Sequence, residues 1–313
     1  MRLHALVNTY ITYKRSLGMR MHTEARELRF FCNQMGDIEL TRAEPHAVLD
    51  FVGDVRKPGR WRVRYWILSS FYRYALEREF VKTSPLPPRR PNFPAQTPPY
   101  IYSTAELERL LAAAAALPSA YYRLQPDTYH TLLLLLYGSA IRIGEALALS
   151  LRDVDLIQGV LTIRETKFFK HRLVPIGPKL RQALHRYAQQ RRALPLPEEE
   201  ASCLFCNRSG RGLRHNEVGT IFRRLRTQAG IRRRSGPRSQ PRLHDIRHTS
   251  ATHRLITWYR EGQDVQQLLP YLATYLGHRD LESTQRYLTL TPELLAHASA
   301  RFHRCLQPEN RRG

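Results

Sequence analysis

The chain has 313 residues, 42% of them apolar, and carries 50 lysines and arginines against 27 acidic residues, a formal charge of +23. That length and apolar content exclude a minimal scaffold held by disulfides or metal and provide for two packed domains. A surface this basic points to a polyanionic partner, nucleic acid before any other.

The first twenty residues interleave Arg2, His4, Lys14, Arg15 and Arg20 with the apolar positions, so no secretory signal is expected there. Residues 3–17 and 23–35 read as helices. "TRAE" at 41–44 has the form of a capping box ahead of a third. A fourth helix, over about 60–80, carries Val63, Ile67, Phe71 and Ala75 at four-residue steps, flanked by Trp66 and Tyr74, which predicts a buried stripe. Arg60, Arg62, Arg64 and Arg73 punctuate it, either as a phosphate-gripping face or as a solvated one.

Residues 85–99, "PLPPRRPNFPAQTPP", hold seven prolines in fifteen positions. Such a stretch lacks the N–H donors of helix or sheet and reads as a stiff linker. The expected organisation is a helical domain over 1–84, a linker over 85–100 and a second domain over 101–313.

"STAE" at 103–106 is another capping box, followed by an alanine-rich helix to about Leu117. Helices are expected at 127–137 and 143–149. The leucine run Leu132–Leu136 is read as core, and the longest apolar run, Leu132–Tyr137, is too short to cross a bilayer. "VDLIQGVLTIRETKFFKHRLVPIG" then alternates, with turn signals at Gln158–Gly159 and around Lys167–Lys170, which predicts a small antiparallel sheet of about three strands. Helices resume at about 178–193, 215–228, 244–261, 264–276, 280–288 and 292–306, with Gly230 and Gly262 where C-caps belong. "RRRSGPRSQPR" at 232–242 reads as a mobile basic loop. The predicted fold class is mainly α: a helical N-terminal bundle and a largely helical α+β domain with a small three-stranded antiparallel sheet.

Four cysteines, Cys32, Cys203, Cys206 and Cys305, do not suggest a disulfide framework in a chain this long, and a reducing cytosol is expected. "CLFC" at 203–206 is a single C-x-x-C without a second pair, favouring a short strand or turn over zinc.

"LHDIRHTSATHR" sets His244, Arg247 and His248 on one helix face, in a run from Arg232 to Arg260 with eight arginines and one acid, Asp245. Repelling groups gathered in this way suit an anion. A phosphodiester calls for planar, permanently charged, bidentate donors, which arginine supplies. A five-coordinate phosphorus calls for a second such group. Arg142 in "YGSAIRIGEAL" fits, at a helix N-terminus that already favours anions, with Glu145 three residues on to hold it. The alternative for Arg142 is a surface pair with Glu145. Lys167 sits at the predicted hairpin tip. In "YLGHRDLESTQRYL", His278 follows a glycine stop and Tyr287 comes nine residues later.

Taken in this order, Arg, Lys at a β-turn, His-x-x-Arg, Leu-Gly-His and Tyr, the segment 101–306 resembles the tyrosine recombinases, or phage-type integrases. The resemblance implies that 1–84 is a core-binding domain and 101–313 the catalytic domain. It implies that Arg142, His244 and Arg247 bind the scissile phosphate and that His278 donates a further hydrogen bond to it. Tyr287 would attack phosphorus to form a 3′-phosphotyrosine, and Lys167 would protonate the departing 5′-oxygen. His248 is read as supporting or packing.

No cofactor and no metal are expected, since the phosphotyrosine conserves the bond energy of the cut strand and the sequence has neither a P-loop nor an acidic metal cluster. The implied partners are double-stranded DNA and further recombinase protomers in a tetramer, sister recombinases among them, with no membrane and a cytoplasmic, nucleoid location. The stretch from Arg247 to His278 is longer than the family's usual one and is similar to that of transposon-borne members; its Tyr259, Tyr271 and Tyr275 are read as core or surface. Near the C-terminus, Leu295, Ala298, Phe302 and Cys305 form a stripe that would dock on a neighbouring protomer or on its own domain. The competing readings are a type IB topoisomerase-like enzyme and a catalytically idle DNA-binding relative.

Overall fold

A computed structural model of the chain describes residues 1–88, 91, 93, 97–118, 125–164, 171–233, 240–278, 280–290, 293–294, 296 and 299. They form two compact units, one within residues 1–96 and the other within 97–166 and 171–313. Among the described residues no helix is long and apolar enough to cross a membrane.

The first unit is a four-helix bundle: α1 (Leu3–Ser16), α2 (His22–Met35), α3 (Pro45–Val52) and α4 (Pro58–Glu77). Its core joins Leu6, Tyr10, Leu28, Phe31, Phe51 and Phe71. The apolar face of α4 differs from the one expected. Trp61, Tyr65, Leu68 and Tyr72 are buried with Ile67, Phe71, Tyr74 and Ala75. Val63 and Trp66 are 46% and 58% exposed. A strict four-residue step rotates by about 40° per repeat on a helix of 3.6 residues per turn, so a stripe drawn that way winds off the core; steps of three and four stay on it. Arg64 is not on a solvated face: its guanidinium donates to Glu27 and to the Phe51 carbonyl, and it stacks over the Phe51 ring.

"TRAE" does not cap α3. Leu40–Arg42 form a 3₁₀ turn, and α3 begins at Pro45 with no side-chain cap on Glu44. Were Thr41 the cap, Pro45 would have to donate the fourth N–H of the helix, which proline lacks; at the first position that donor is not needed. Part of the proline-rich stretch packs on this bundle. Leu86 is buried, Phe93 lies against Trp61, and the Tyr65 hydroxyl donates to the Pro87 carbonyl.

The second unit opens with α5 (Thr104–Ala115), where the Ser103–Glu106 capping box is formed in both directions. There follow α6 (Gln125–Ser139), α7 (Ile143–Ala148) and an antiparallel sheet of β1 (Val154–Asp155), β2 (Val160–Ile163) and β3 (Arg172–Pro175), in that order. Asp155 accepts the N–H groups of Ile157 and Gln158, and Gly159 takes the left-handed conformation (φ +67°) that closes the first turn. Ile163 lies opposite Arg172. The expected hairpin tip at Lys167–Lys170 lies outside the described residues.

The helices continue with α8 (Pro178–Arg192), α9 (His215–Gln228), α10 (Asp245–Arg260) and α11 (Val265–Leu276). Gly230 and Gly262 end α9 and α10 with positive φ, as expected of C-caps. The single helix expected over 280–288 is instead a short α12 (Glu282–Gln285) running into a 3₁₀ turn, Arg286–Thr289. Most of the expected 292–306 helix lies outside the described residues, as does most of the 232–242 loop. Cys203 and Cys206 sit in isolated β-bridges with Ser150 and Gly212.

One large core spans α5–α9 and the sheet and includes the leucines of α6. A second cluster joins α10, α11 and the 3₁₀ turn through Leu255, Leu269, Leu272, Leu276 and Tyr287.

Candidate active site

Arg247 is the centre of the site. It sits in the first turn of α10 and is 3% exposed. The start of α10 is pinned from three sides. The buried Asp245, the one acid in the arginine run, accepts the Arg242 N–H at 2.8 Å. The Tyr102 N–H donates to Thr249 Oγ1 at 3.0 Å, and the Tyr102 hydroxyl donates to the Arg242 carbonyl. The Arg247 guanidinium donates through Nη1 to the Ala140 carbonyl and through Nη2 to the Leu276 carbonyl, both at 2.6 Å. A guanidinium has five N–H donors, so these bonds orient Arg247 while leaving donors for a ligand. Burial, then the Arg142 charge, pull its value down to about 10.

Arg142 reaches the same place from α7. Its Nη2 donates to the carbonyl of Gly277, the residue after the one Arg247 holds. The two guanidiniums therefore converge on adjacent carbonyls at the end of α11. Glu145 fixes Arg142, as its sequence position suggests: it accepts both the Arg142 N–H and Nη1 at 2.9 Å.

A third arginine, not anticipated from the sequence, completes this layer. Arg172, the first residue of β3, meets Glu145 with two parallel bonds of 3.0 and 2.7 Å. Its inward face could have been read from strand alternation with the buried Val174; its partner, 27 residues earlier in the chain, could not. Burial alone would raise the Glu145 carboxyl, but the bonds from Arg172 and Arg142 outweigh it and hold the group at about 2.

Tyr287 closes the pocket. It is 3% exposed, and Arg247 is the charged group that acts on it most strongly. Burial raises its phenol above the ordinary value, and the Arg247 and Arg142 charges partly offset that. The His278 ring stacks on it (centroids 5.9 Å, 16° between planes) and the His248 ring lies 5.5 Å away. His244 stands perpendicular to His248 at 4.8 Å. Five of the six residues singled out from the sequence, Arg142, His244, Arg247, His278 and Tyr287, thus come together, and the sixth, Lys167, lies outside the described residues. The other tyrosines of the long insertion are elsewhere: Tyr271 is 73% exposed, the Tyr275 hydroxyl donates to the Pro175 carbonyl, and Tyr259 packs at the edge of the α10–α11 cluster.

The histidines are held neutral. Burial, followed by the charges around them, lowers His278 and His248 to about 4 and lowers His244 as well. The unfolded chain therefore takes up protons first as pH falls from about 6.5 towards 4. Stability is full above that window and declines through it. Glu145, whose folded value is also depressed, adds its loss between about 4.5 and 2. Thermal melts are expected to show the melting temperature falling from pH 7 to pH 4, with a shallower slope in His248→Asn; equal slopes would refute this origin.

With neutral histidines the layer holds three guanidiniums against one carboxylate, an excess of two positive charges beside a sealed phenol. Arg247 and Arg172 are largely buried while the Arg142 side chain is 42% exposed, so part of this excess is desolvated, which is costly unless an anion answers it. A phosphodiester attacked by a phenolate passes through a dianionic five-coordinate phosphorus, which matches the excess.

Residues 102–293 match the phage integrase family. The chain is 37% identical over 305 residues to the "Putative integrase/recombinase y4rB" of Sinorhizobium fredii, spanning 95% of this chain and 96% of that protein. Its fold is similar to that of the Tn1549 transposon integrase in complex with transposon right end DNA, with a TM-score of 0.67 at 16% identity over 97% of this chain and 99% of that one. It is also similar to the lambda integrase in a tetramer bound to a Holliday junction, with a TM-score of 0.64 at 16% identity over 92% of this chain and 77% of that one. At such identities the two structures speak to the fold alone, and the sequence matches carry the assignment: the chain belongs to the phage integrase family, the tyrosine recombinases.

Proposed function

We propose that the protein is a site-specific DNA recombinase that cuts and rejoins strands through a 3′-phosphotyrosine on Tyr287. The observation that carries this is the convergence of the Arg247 and Arg142 guanidiniums on adjacent carbonyls beside the buried phenol of Tyr287, with Arg172 bound to the same Glu145 that holds Arg142.

In this reading Arg142, Arg247 and His244 hold the non-bridging oxygens of the scissile phosphate, and His278 adds a further donor. The phenol releases its proton to solvent as its oxygen bonds to phosphorus, and the bond from phosphorus to the 5′-oxygen breaks. Lys167 protonates that oxygen as it leaves. The 5′-hydroxyl of a second strand reverses the same steps, so the total of phosphodiester bonds is unchanged and no ATP is consumed. The raised phenol value keeps Tyr287 protonated until phosphate arrives.

Residues 1–84 act as the core-binding clamp and 101–313 as the catalytic domain, joined by 85–100. Double-stranded DNA and further copies of a recombinase are the partners. The net charge of +23, and the DNA-bound state of both similar structures, one of them tetrameric, support this. The work is done in the cytoplasm on the nucleoid, and the transposon integrase neighbour favours a mobile-element role.

The test is a nicked suicide duplex carrying the element's own end, incubated in EDTA. The protein is expected to form a covalent adduct and, on two intact sites, joined products. Tyr287→Phe, which removes one oxygen from a packed ring, is expected to lose both while binding the duplex unchanged. An adduct formed by Tyr287→Phe would reject the assignment.

A further inference from the structure

Thr284 was not among the residues that the sequence singled out, and the function proposed above does not use it. It lies in α12, three residues before Tyr287, and is fully buried. Its Oγ1 is 2.7 Å from Nδ1 of His278. The His278 backbone is held independently, its N–H donating to the Ala273 carbonyl at the end of α11. The contact therefore ties the short element that carries Tyr287 to the imidazole stacked on it.

The direction of this hydrogen bond decides what His278 can do. A threonine hydroxyl has one proton to donate, and a neutral imidazole has one N–H and one lone pair. Among the described residues the Thr284 hydroxyl has no acceptor other than His278 Nδ1. If Nδ1 carried the proton, it would donate to Thr284 and leave the hydroxyl proton buried and unused, which costs about 1–3 kcal/mol. If the hydroxyl donates, nothing is wasted, Nδ1 is the lone-pair nitrogen and the proton sits on Nε2. The second arrangement turns His278 into a donor on its far edge and removes it as a base for the phenol.

We propose that Thr284 is a positioning residue that locks His278 in the Nε2–H tautomer and so presents that N–H to the scissile phosphate. The proposal rests on the reading of this site given above. The low value of His278, about 4, keeps the ring neutral at working pH, so that a tautomer rather than a charge is at stake. A carboxylate in place of Thr284 would instead favour Nδ1–H and reverse the role.

The full chain, with ¹⁵N-labelled histidine, tests this at pH 7. The ring nitrogens of His278, assigned by their loss in His278→Gln, are expected to show Nε2 protonated and Nδ1 unprotonated. Thr284→Val keeps the shape and removes the hydroxyl. It is expected to shift His278 towards a mixture of tautomers and to slow suicide-substrate cleavage about tenfold or more, with duplex affinity unchanged. Thr284→Ser is expected to restore both the signature and the rate.

Nδ1–H in the wild-type protein would overturn the proposal without any variant, so it stays testable even if Thr284→Val does not fold. Slower cleavage in Thr284→Val with the Nε2–H signature intact would overturn it too, leaving Thr284 a packing residue. Full-rate cleavage by that variant would do the same. The tautomer is read without DNA, so its result stands apart from whether Tyr287 forms an adduct.

Discussion

Arg247→Lys is expected to lose cleavage by about a hundredfold to a thousandfold, the scale of removing one preorganised donor from a charge-stabilising site, and to lose about 2–3 kcal/mol of stability with it. The charge survives the substitution, so the loss tests geometry. Arg247 bridges two segments far apart in the chain, holding the Ala140 carbonyl with Nη1 and the Leu276 carbonyl with Nη2. A lysine ammonium is a single point on a flexible stem and does not reproduce a planar fork. Ala140 sharpens the effect because it is held at φ +50°. That left-handed conformation costs a non-glycine residue about 1–2 kcal/mol, and it is the conformation in which the Ala140 carbonyl meets Arg247. Chemical denaturation and single-turnover cleavage on the suicide duplex would measure the two losses. A lysine variant with wild-type cleavage would mean that charge alone suffices.

Gly277→Ala is expected to be nearly as damaging, although the glycine has no side chain to offer. Two costs combine. Gly277 has φ +67°, and an added Cβ would lie 2.9 Å from Cζ and Nη1 of Arg172. That guanidinium cannot swing aside, because both its arms are bonded to Glu145. Displacing it loosens Glu145, and with it Arg142, whose Nη2 is bonded to the Gly277 carbonyl itself.

Gly262→Ala is the control. It has nearly the same φ, +70°, and nothing within 4 Å of the added Cβ. It is expected to lose about 1 kcal/mol, the conformational term alone. Gly277→Ala is expected to lose about 2–3 kcal/mol and to cut about a hundredfold more slowly. Equal losses in the two variants would remove Arg172 from the account.

The site was legible in the sequence to the extent that its chemistry is carried by residue types that are expensive to gather. Arg247 and His244 lie on one helix face, Arg142 stands at a helix start, and His278 and Tyr287 are nine residues apart. The residues that the sequence does not single out act through partners rather than through type. Arg172 reads as one more basic residue until Glu145 is seen across from it, and Thr284 reads as an ordinary residue inside the expected 280–288 helix until its hydroxyl meets His278.

Local patterns failed where a single residue overrode them. "STAE" caps α5 and "TRAE" does not cap α3, because proline follows the second directly. On α4 a four-residue step takes in Val63, with Trp66 beside the stripe, and the 3.6-residue turn of the helix rotates both out of the core.

The most direct test of the central claim is to trap the cleaved strand on the protein, digest the adduct and locate the modified peptide by mass spectrometry. The account predicts a 3′-phosphoryl strand on Tyr287. A strand carried by Tyr259, Tyr271 or Tyr275, or by a residue other than tyrosine, would contradict it.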